Sequence, residues 1–576
     1  MTLARNSFLR FVLLLLLTLG FSPALASPQD AAPPSQPVLL TLLGTTDLHG
    51  NLAPVDYFAN HSANRGLAKI ATLVRQVRAE QPNLLLLDSG DTIQGTPLAY
   101  YFARKQPNQL NPTIAVMNAL QYDAMALGNH EFNFGLDNLW RAKREAKFPV
   151  LAANVQQQYP PDSNSFFRPY LIKSVAGVRV AIVGFVTPGI PRWELPANYQ
   201  GYQFEPIVDA ARRVIPEVRK QADLVVVIAH SGLEKDPDTG RPFDSTQLPG
   251  ENAIYALASE VPGIDVILFG HSHRELPERI INGVLLVQAR NWGQSLARAD
   301  VSLSRQPSGS WQVVSKRSTT LPVTDSVPPD PQILALAKPY DDATQKYLDT
   351  PVATCAVALD GLTARYEDSP LVDLIHKVQM EYGNAEVSLA TMLFAGAKIP
   401  AGQVTVRQIA ALYIYDNTLF TVEMTGAQLK EALEHAASFF SAWPLPAGES
   451  PRLPGYNADN ASGVNYEIDV RQPVGSRIRN LSRNGAPLDP AARLRVAVNN
   501  YRYAGGGRYT VLQGLPVVYR SPQEIRDLII EYVQRTGSIT TTADNNWRIQ
   551  PPEALAAILN EAQRLQEGPA SRSAAH

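Results

Sequence analysis

Short apolar runs in the first half of the chain repeatedly give way to Asp, His and Asn. Residues 39–43 lead into Asp47-Leu48-His49, residues 84–87 into Gly90-Asp91, and residues 124–127 into Gly128-Asn129-His130-Glu131. Residues 225–228 then lead into His230, and residues 266–269 into Gly270-His271-Ser272-His273. Each run is short and mainly apolar, as a strand would be, and residues 178–186 supply a further one whose continuity suits a strand buried on both faces. Between them, residues 68–78 and 208–221 space their apolar positions helically. Alternating strands and helices predict an α/β unit of βαβ type, in which ligands collect at the carboxyl ends of the strands.

The pattern changes at Val327-Pro328-Pro329-Asp330-Pro331, after which residues 332–348 have the spacing of a connecting helix. Beyond it, helical spacing over 369–381 and 426–438 mixes with strand-like runs at 420–424, 464–470 and 494–498, predicting a second, α+β domain. Residues 553–566 read as a terminal helix. The expected organisation is a signal peptide over 1–26, a disordered leader over 27–37, a first domain over 38–326, a linker helix over 327–350, a second domain over 351–550, and a terminal helix and tail over 551–576. The chain has 576 residues, enough for several cores.

The first residues change the picture of where this protein works. Arg5 and Arg10 precede a charge-free apolar run over 11–21, and Ala24-Leu25-Ala26 offers a small-x-small cleavage site. Cleavage near Ala26 and a periplasmic or secreted destination are expected. Cys355 is the single cysteine, so no intramolecular disulfide can form. The formal net charge of −2, with both signs interspersed, gives no footprint for a nucleic-acid polymer.

Five of the nine histidines belong to the strand-end motifs. Two divalent ions a few ångströms apart need a carboxylate between them, with imidazoles and neutral oxygens completing each shell. Asp47 and His49, two residues apart, can reach one ion, and Asp91 is the natural bridge. Asn129, His230 and His271 can serve the second ion, and His273 can return to the first. His130 is left over beside a ligand, placed to act on substrate. His61, His376, His435 and His576 follow no ligand pattern.

These motifs and their order resemble the calcineurin-like metallophosphoesterases, and the second half resembles the C-terminal domain of the 5′-nucleotidase family. The carriers there are residues 412–419, 424–430 and Val498-Asn499-Asn500-Tyr501-Arg502. The resemblance implies a four-layer β-sandwich flanked by helices, joined to a nucleotide-binding domain. It implies Tyr415 and Tyr501 as a base clamp, Asn417 as a base contact, Arg365 as a phosphate ligand, and Lys398 near a second basic position. Asn133 stands where 5′-nucleotidases carry an Asp beside the catalytic His, which is more like the branch that cleaves 2′,3′-cyclic nucleotides and 3′-nucleotides. By contrast, Gly505-Gly506-Gly507 is more like 5′-nucleotidases, and Gly507 replaces their ribose-binding Asp.

The expected protein is therefore a monomeric hydrolase with two divalent ions (Mn, Zn, Co or Fe), acting on small nucleotides, with no polymer partner and no membrane association after cleavage. It would open 2′,3′-cyclic nucleotides to 3′-nucleotides and dephosphorylate these to nucleosides. The alternative is a 5′-nucleotidase or nucleotide-sugar hydrolase. Rivals of other kinds are a nucleotide-binding protein without turnover and a sulfur-ester hydrolase.

Overall fold

The computed structural model describes residues 37–243, 250–444 and 453–567; the expected signal peptide, nearly all of the leader and the last nine residues lie outside them. Two six-stranded sheets build the first half. One runs in the order Trp311–Pro322, Ser295–Arg305, Val38–Thr45, Leu84–Asp88, Ala124–Ala126, Val150–Leu151. The other runs Leu276–Ile281, Val284–Gln288, Val266–Phe269, Leu224–His230, Val178–Val186, Tyr170–Val175. The motif-bearing strands are parallel to one another within each sheet.

The two-residue period of a strand explains the layering. Leu40, Leu42, Leu85 and Leu87 from one sheet meet Val180, Ile182, Val226 and Ile228 from the other in the central core. Alternate residues turn outward: Leu43 and Leu86 pack in a cluster with helix Leu67–Glu80, and Val183, Val225 and Val227 with helices Ile207–Arg219 and Ile254–Glu260. Helix, sheet, sheet and helix thus make four layers, and every parallel strand is buried on both faces.

Helix Pro331–Leu348 opens the second half, capped by the Asp330 carboxylate, which accepts from the backbone N–H groups of Gln332 and Ile333, with Pro331 at the first position. A five-stranded sheet follows in the order Asn460–Ser462, Val387–Ala390, Arg493–Asn499, Thr418–Thr425, Val517–Glu524. Helix Gly426–Ala436 begins with a Thr425/Gln428 capping box and passes into a 3₁₀ turn at Ala437–Phe439, shorter than its apolar spacing suggests. Among the described residues, no helix is long and apolar enough to cross a membrane.

The halves are closed on one another. Arg407, 7% exposed, donates to the Tyr57 carbonyl at 2.7 Å and pairs with Asp349. Arg104 pairs with Glu524 at 2.8 Å, the Tyr100 hydroxyl donates to Asp527, and the Gln94 amide donates to Asp416. One apolar cluster runs through both halves.

Candidate metal centre and facing cleft

The ligand candidates converge at the carboxyl ends of the parallel strands. Asp47, His49 and His273 form one group and Asp91, His230 and His271 a second, with the ligand atoms of each within 4.8 Å of one another. His49 Nε2 lies 3.1 Å from His273 Nε2, and His273 Nε2 lies 3.5 Å from Asp47 Oδ1. His230 Nε2 lies 2.9 Å from Asp91 Oδ2 and 3.3 Å from His271 Nδ1. Asp91 Oδ2 is also 3.9 Å from His49 Nε2, so this carboxylate stands between the two groups.

The turns that aim these side chains are strained. Asp47, His49, Asp91, His271 and His273 all have φ between 48° and 73°, a region that few side-chain-bearing residues adopt. Glu131 organises one such turn: its carboxylate accepts from the backbone N–H groups of Gly128, Asp91 and Thr92. A Cβ at Gly128 would collide with Asp91 and Glu131, and one at Gly270 with Thr46 and Asp47, so close approach requires both glycines.

Neighbouring acceptors set the histidine tautomers. A carbonyl only accepts, so His230 Nδ1–H donates to Ser89 O at 2.9 Å and His49 Nδ1–H to Gln94 O at 2.9 Å, leaving each Nε2 to face the centre, where it can take a proton or a cation. His271 is reversed: Nε2 donates to Glu251 at 2.9 Å and Nδ1 faces inward.

The donor set fits divalent cations. Asn129 Oδ1 is buried with no hydrogen-bond partner, an unmet acceptor on the residue before His130, whose N–H donates to Asp91 at 2.8 Å. Burial alone would raise the Asp47 and Asp91 carboxyls, yet the surrounding histidines hold both below the usual carboxylate range. Burial favours neutral His230, but Asp91 outweighs it and pushes the imidazole up to about 10. His49, dominated by burial, falls to about 4. Two buried carboxylates that stay charged, balanced mainly by a proton on His230, suit cations that would displace that proton.

His130 does not join either group. Its side chain is 39% exposed, with Nε2 3.8 Å from Asp91 Oδ2. Its Nδ1 lies 2.5 Å from Asn133 Oδ1, and the Asn133 amide donates to Glu194. The neutral amide expected beside the histidine is therefore backed by a carboxylate that sequence reading did not find.

On the second domain, Tyr415 and Tyr501 are 43% and 38% exposed, unlike aromatic residues serving a core. They lie close enough to act on each other electrostatically, and Tyr501 on Glu251, the partner of His271. Arg502 backs Tyr501 at 5.4 Å from its ring and is held by Asp459 at 2.7 Å. A Cβ at Gly506 would strike the Tyr501 ring, so the glycine run has a local steric reason. Asn417 lies beside Tyr413, and its backbone carbonyl accepts from the Ile525 N–H.

Arg365 lies near Tyr415, but its Nε and Nη2 already donate to the Met392 and Leu393 carbonyls at 2.8 and 2.7 Å. Lys398 sits on the two-residue strand Lys398–Ile399, 70% exposed and paired with Asp360 at 3.0 Å. Sequence reading missed Glu194, Glu251 and Gln94, which hydrogen-bond Asn133, His271 and His49 from outside the ligand motifs. Glu131 was visible within its motif, but its role was not.

Residues 40–275 match the calcineurin-like phosphoesterase family and residues 351–514 the 5′-nucleotidase C-terminal domain, and the chain belongs to this family of two-domain, metal-dependent phosphoesterases. It is 34% identical to a Salmonella typhimurium protein named 2′,3′-cyclic-nucleotide 2′-phosphodiesterase/3′-nucleotidase, covering 89% of each chain. A Haemophilus influenzae protein of the same name is 34% identical, over 89% of this chain and 87% of its own. The crystal structure of a putative 5′-nucleotidase from Staphylococcus aureus, in complex with alpha-ketoglutarate, superposes with a TM-score of 0.76 at 28% identity, covering 89% of this chain and all of that one.

Proposed function

We propose that this chain is an exported hydrolase that opens 2′,3′-cyclic nucleotides at the 2′ oxygen and then removes phosphate from the 3′-nucleotide. The observation that carries this is the two ligand groups with Asp91 between them, and an exposed tyrosine pair of the second domain within electrostatic reach of Glu251, the partner of His271. The names of the relatives point to the same reactions. Mixed nitrogen and oxygen donors suit Mn, Zn, Co or Fe.

Asp47, His49 and His273 would hold one ion; Asn129, His230 and His271 the other; Asp91 would touch both. Such ions stabilise charge on phosphoryl oxygens and make water acidic enough to attack at neutral pH. Tyr415 and Tyr501 would stack the base and thereby align phosphorus with the centre. His130, with Nδ1–H held by Asn133, turns Nε2 to the cleft, where a protonated ring would give its proton to the leaving ribose oxygen. In the first turnover the P–O2′ bond breaks and in the second P–O3′, each with water as nucleophile.

Turnover of 2′,3′-cyclic AMP, 3′-AMP and 5′-AMP by the purified protein tests the reading. The two former should be cleaved faster; a clear preference for 5′-AMP would overturn it. Export follows from the first 26 residues, and the amino-terminal sequence of protein recovered from outside the cytoplasm should start near Ser27.

A further inference from the structure

Behind His130 lies a hydrogen-bonded line that ends on a carboxylate. His130 Nδ1 meets Asn133 Oδ1 at 2.5 Å, and the Asn133 amide donates to Glu194 Oε1. The second Glu194 oxygen accepts from the Asn198 amide at 2.8 Å. Burial raises the Glu194 carboxyl, but the amide donors on both of its oxygens and the nearby His130 favour the ionised form; an ionised carboxylate only accepts, so Glu194 fixes which end of the Asn133 amide faces it. The carbonyl end must then face His130, and Nδ1 must carry the proton.

Glu194 stands on a short segment gripped from three sides. The Trp193 ring lies 5.9 Å from the His271 ring, the Trp193 carbonyl accepts from the Asn500 amide of the second domain at 2.9 Å, and Leu195 packs on that domain's core. Asn500 immediately precedes Tyr501, so the segment holding Glu194 is tied to the clamp strand-end as well as to the centre.

We propose that Glu194 is a positioning residue: acting through Asn133, it sets the tautomer and direction of His130. The assignment rests on His130 serving the reaction. With glutamine in place of Glu194, an amide can present either end to Asn133, the line no longer has a fixed sense, and His130 is left with two orientations of its partner. Outer-sphere partners of this kind are worth about 10–100-fold in activity.

A double-mutant cycle on the full-length, metal-loaded protein tests it. Glu194→Gln should lower kcat for 2′,3′-cyclic AMP by about 10–100-fold, with KM, bound metal and thermal midpoint unchanged. In a His130→Ala background, the same substitution should cost nothing further, because its route of action is gone. Glu194→Asp, too short to reach Asn133, should lower kcat as well. An equal kcat loss from Glu194→Gln with and without His130 would reveal a packing role and overturn the proposal, as would wild-type kcat in Glu194→Gln. Full activity of His130→Ala alone would instead strike the role of His130 itself.

Discussion

Removing Asn129 Oδ1 should destabilise the metal-loaded protein but not the metal-free protein. This oxygen is buried and has no hydrogen-bond partner, while the residue is 7% exposed. A buried acceptor without a partner costs a fold about 1–3 kcal/mol. After exhaustive chelation, Asn129→Ala therefore relieves that cost, less whatever the lost side-chain volume takes back, and the urea midpoint should stay level or rise. With ions bound, the same atom would complete the shell of the Asp91, His230 and His271 group. Its loss should weaken that ion by at least the roughly 10–100-fold that outer-sphere partners cost, or about 1.4–2.7 kcal/mol. Calorimetric titration with Mn or Zn reads the second number, and denaturation with and without chelator reads the sign. Equal destabilisation in both states would show that Asn129 packs but does not ligate, and would remove it from the proposed centre.

The other expectations follow from single contacts. His130→Ala should lower kcat by about 10²–10⁴-fold, the usual worth of a general acid, while both ions remain bound by elemental analysis; loss of an ion would make His130 a ligand. Tyr415→Ala and Tyr501→Ala should each raise KM for nucleotides about 5–150-fold, from roughly 1–3 kcal/mol of stacking, and leave p-nitrophenyl phosphate unaffected; equal effects on both substrates would mean packing. His376 is buried, with Nδ1 facing Ser388 and Nε2 facing Asn460, and burial lowers its pKa to about 4. The folded state prefers the neutral ring, so this contribution is full above pH 6.5 and fades as pH falls towards 4. Replacing His376 with Gln should flatten that part of the denaturation profile, and an unchanged acid slope would refute it.

What the sequence revealed follows from how local each cause is. Strands Leu224–His230 and Val266–Phe269 are continuous apolar runs ended by polar motifs, so both the element and the site at its tip can be read together. The long antiparallel pair Ser295–Arg305 and Trp311–Pro322 lies at a sheet edge, and its second strand carries Gln, Lys, Arg, Ser and Thr on a largely exposed face. No apolar run announces it. The ligand candidates share a spacing that chemistry dictates, whereas Glu251 reaches His271, and Glu194 reaches Asn133, only after the chain has folded. Lys398 illustrates the converse, a basic residue near a family position that the fold turns outward to Asp360.

The two ligand groups draw on both sheets. Asp47 and His49 follow a strand of one sheet while His273 follows a strand of the other; Asp91 belongs to the first sheet's loops, while His230 ends one strand of the second sheet and His271 follows another. Elsewhere the sheets are joined by the apolar side chains between them, which grip without direction and tolerate sliding. Ions at this edge would act as rivets, fixing the register of one sheet against the other at the end where a fraction of an ångström decides whether a phosphate is aligned. The mouth of the sandwich would then be its stiffest part, and the cofactor that performs the chemistry would also be a mechanical fastener of the frame that holds it.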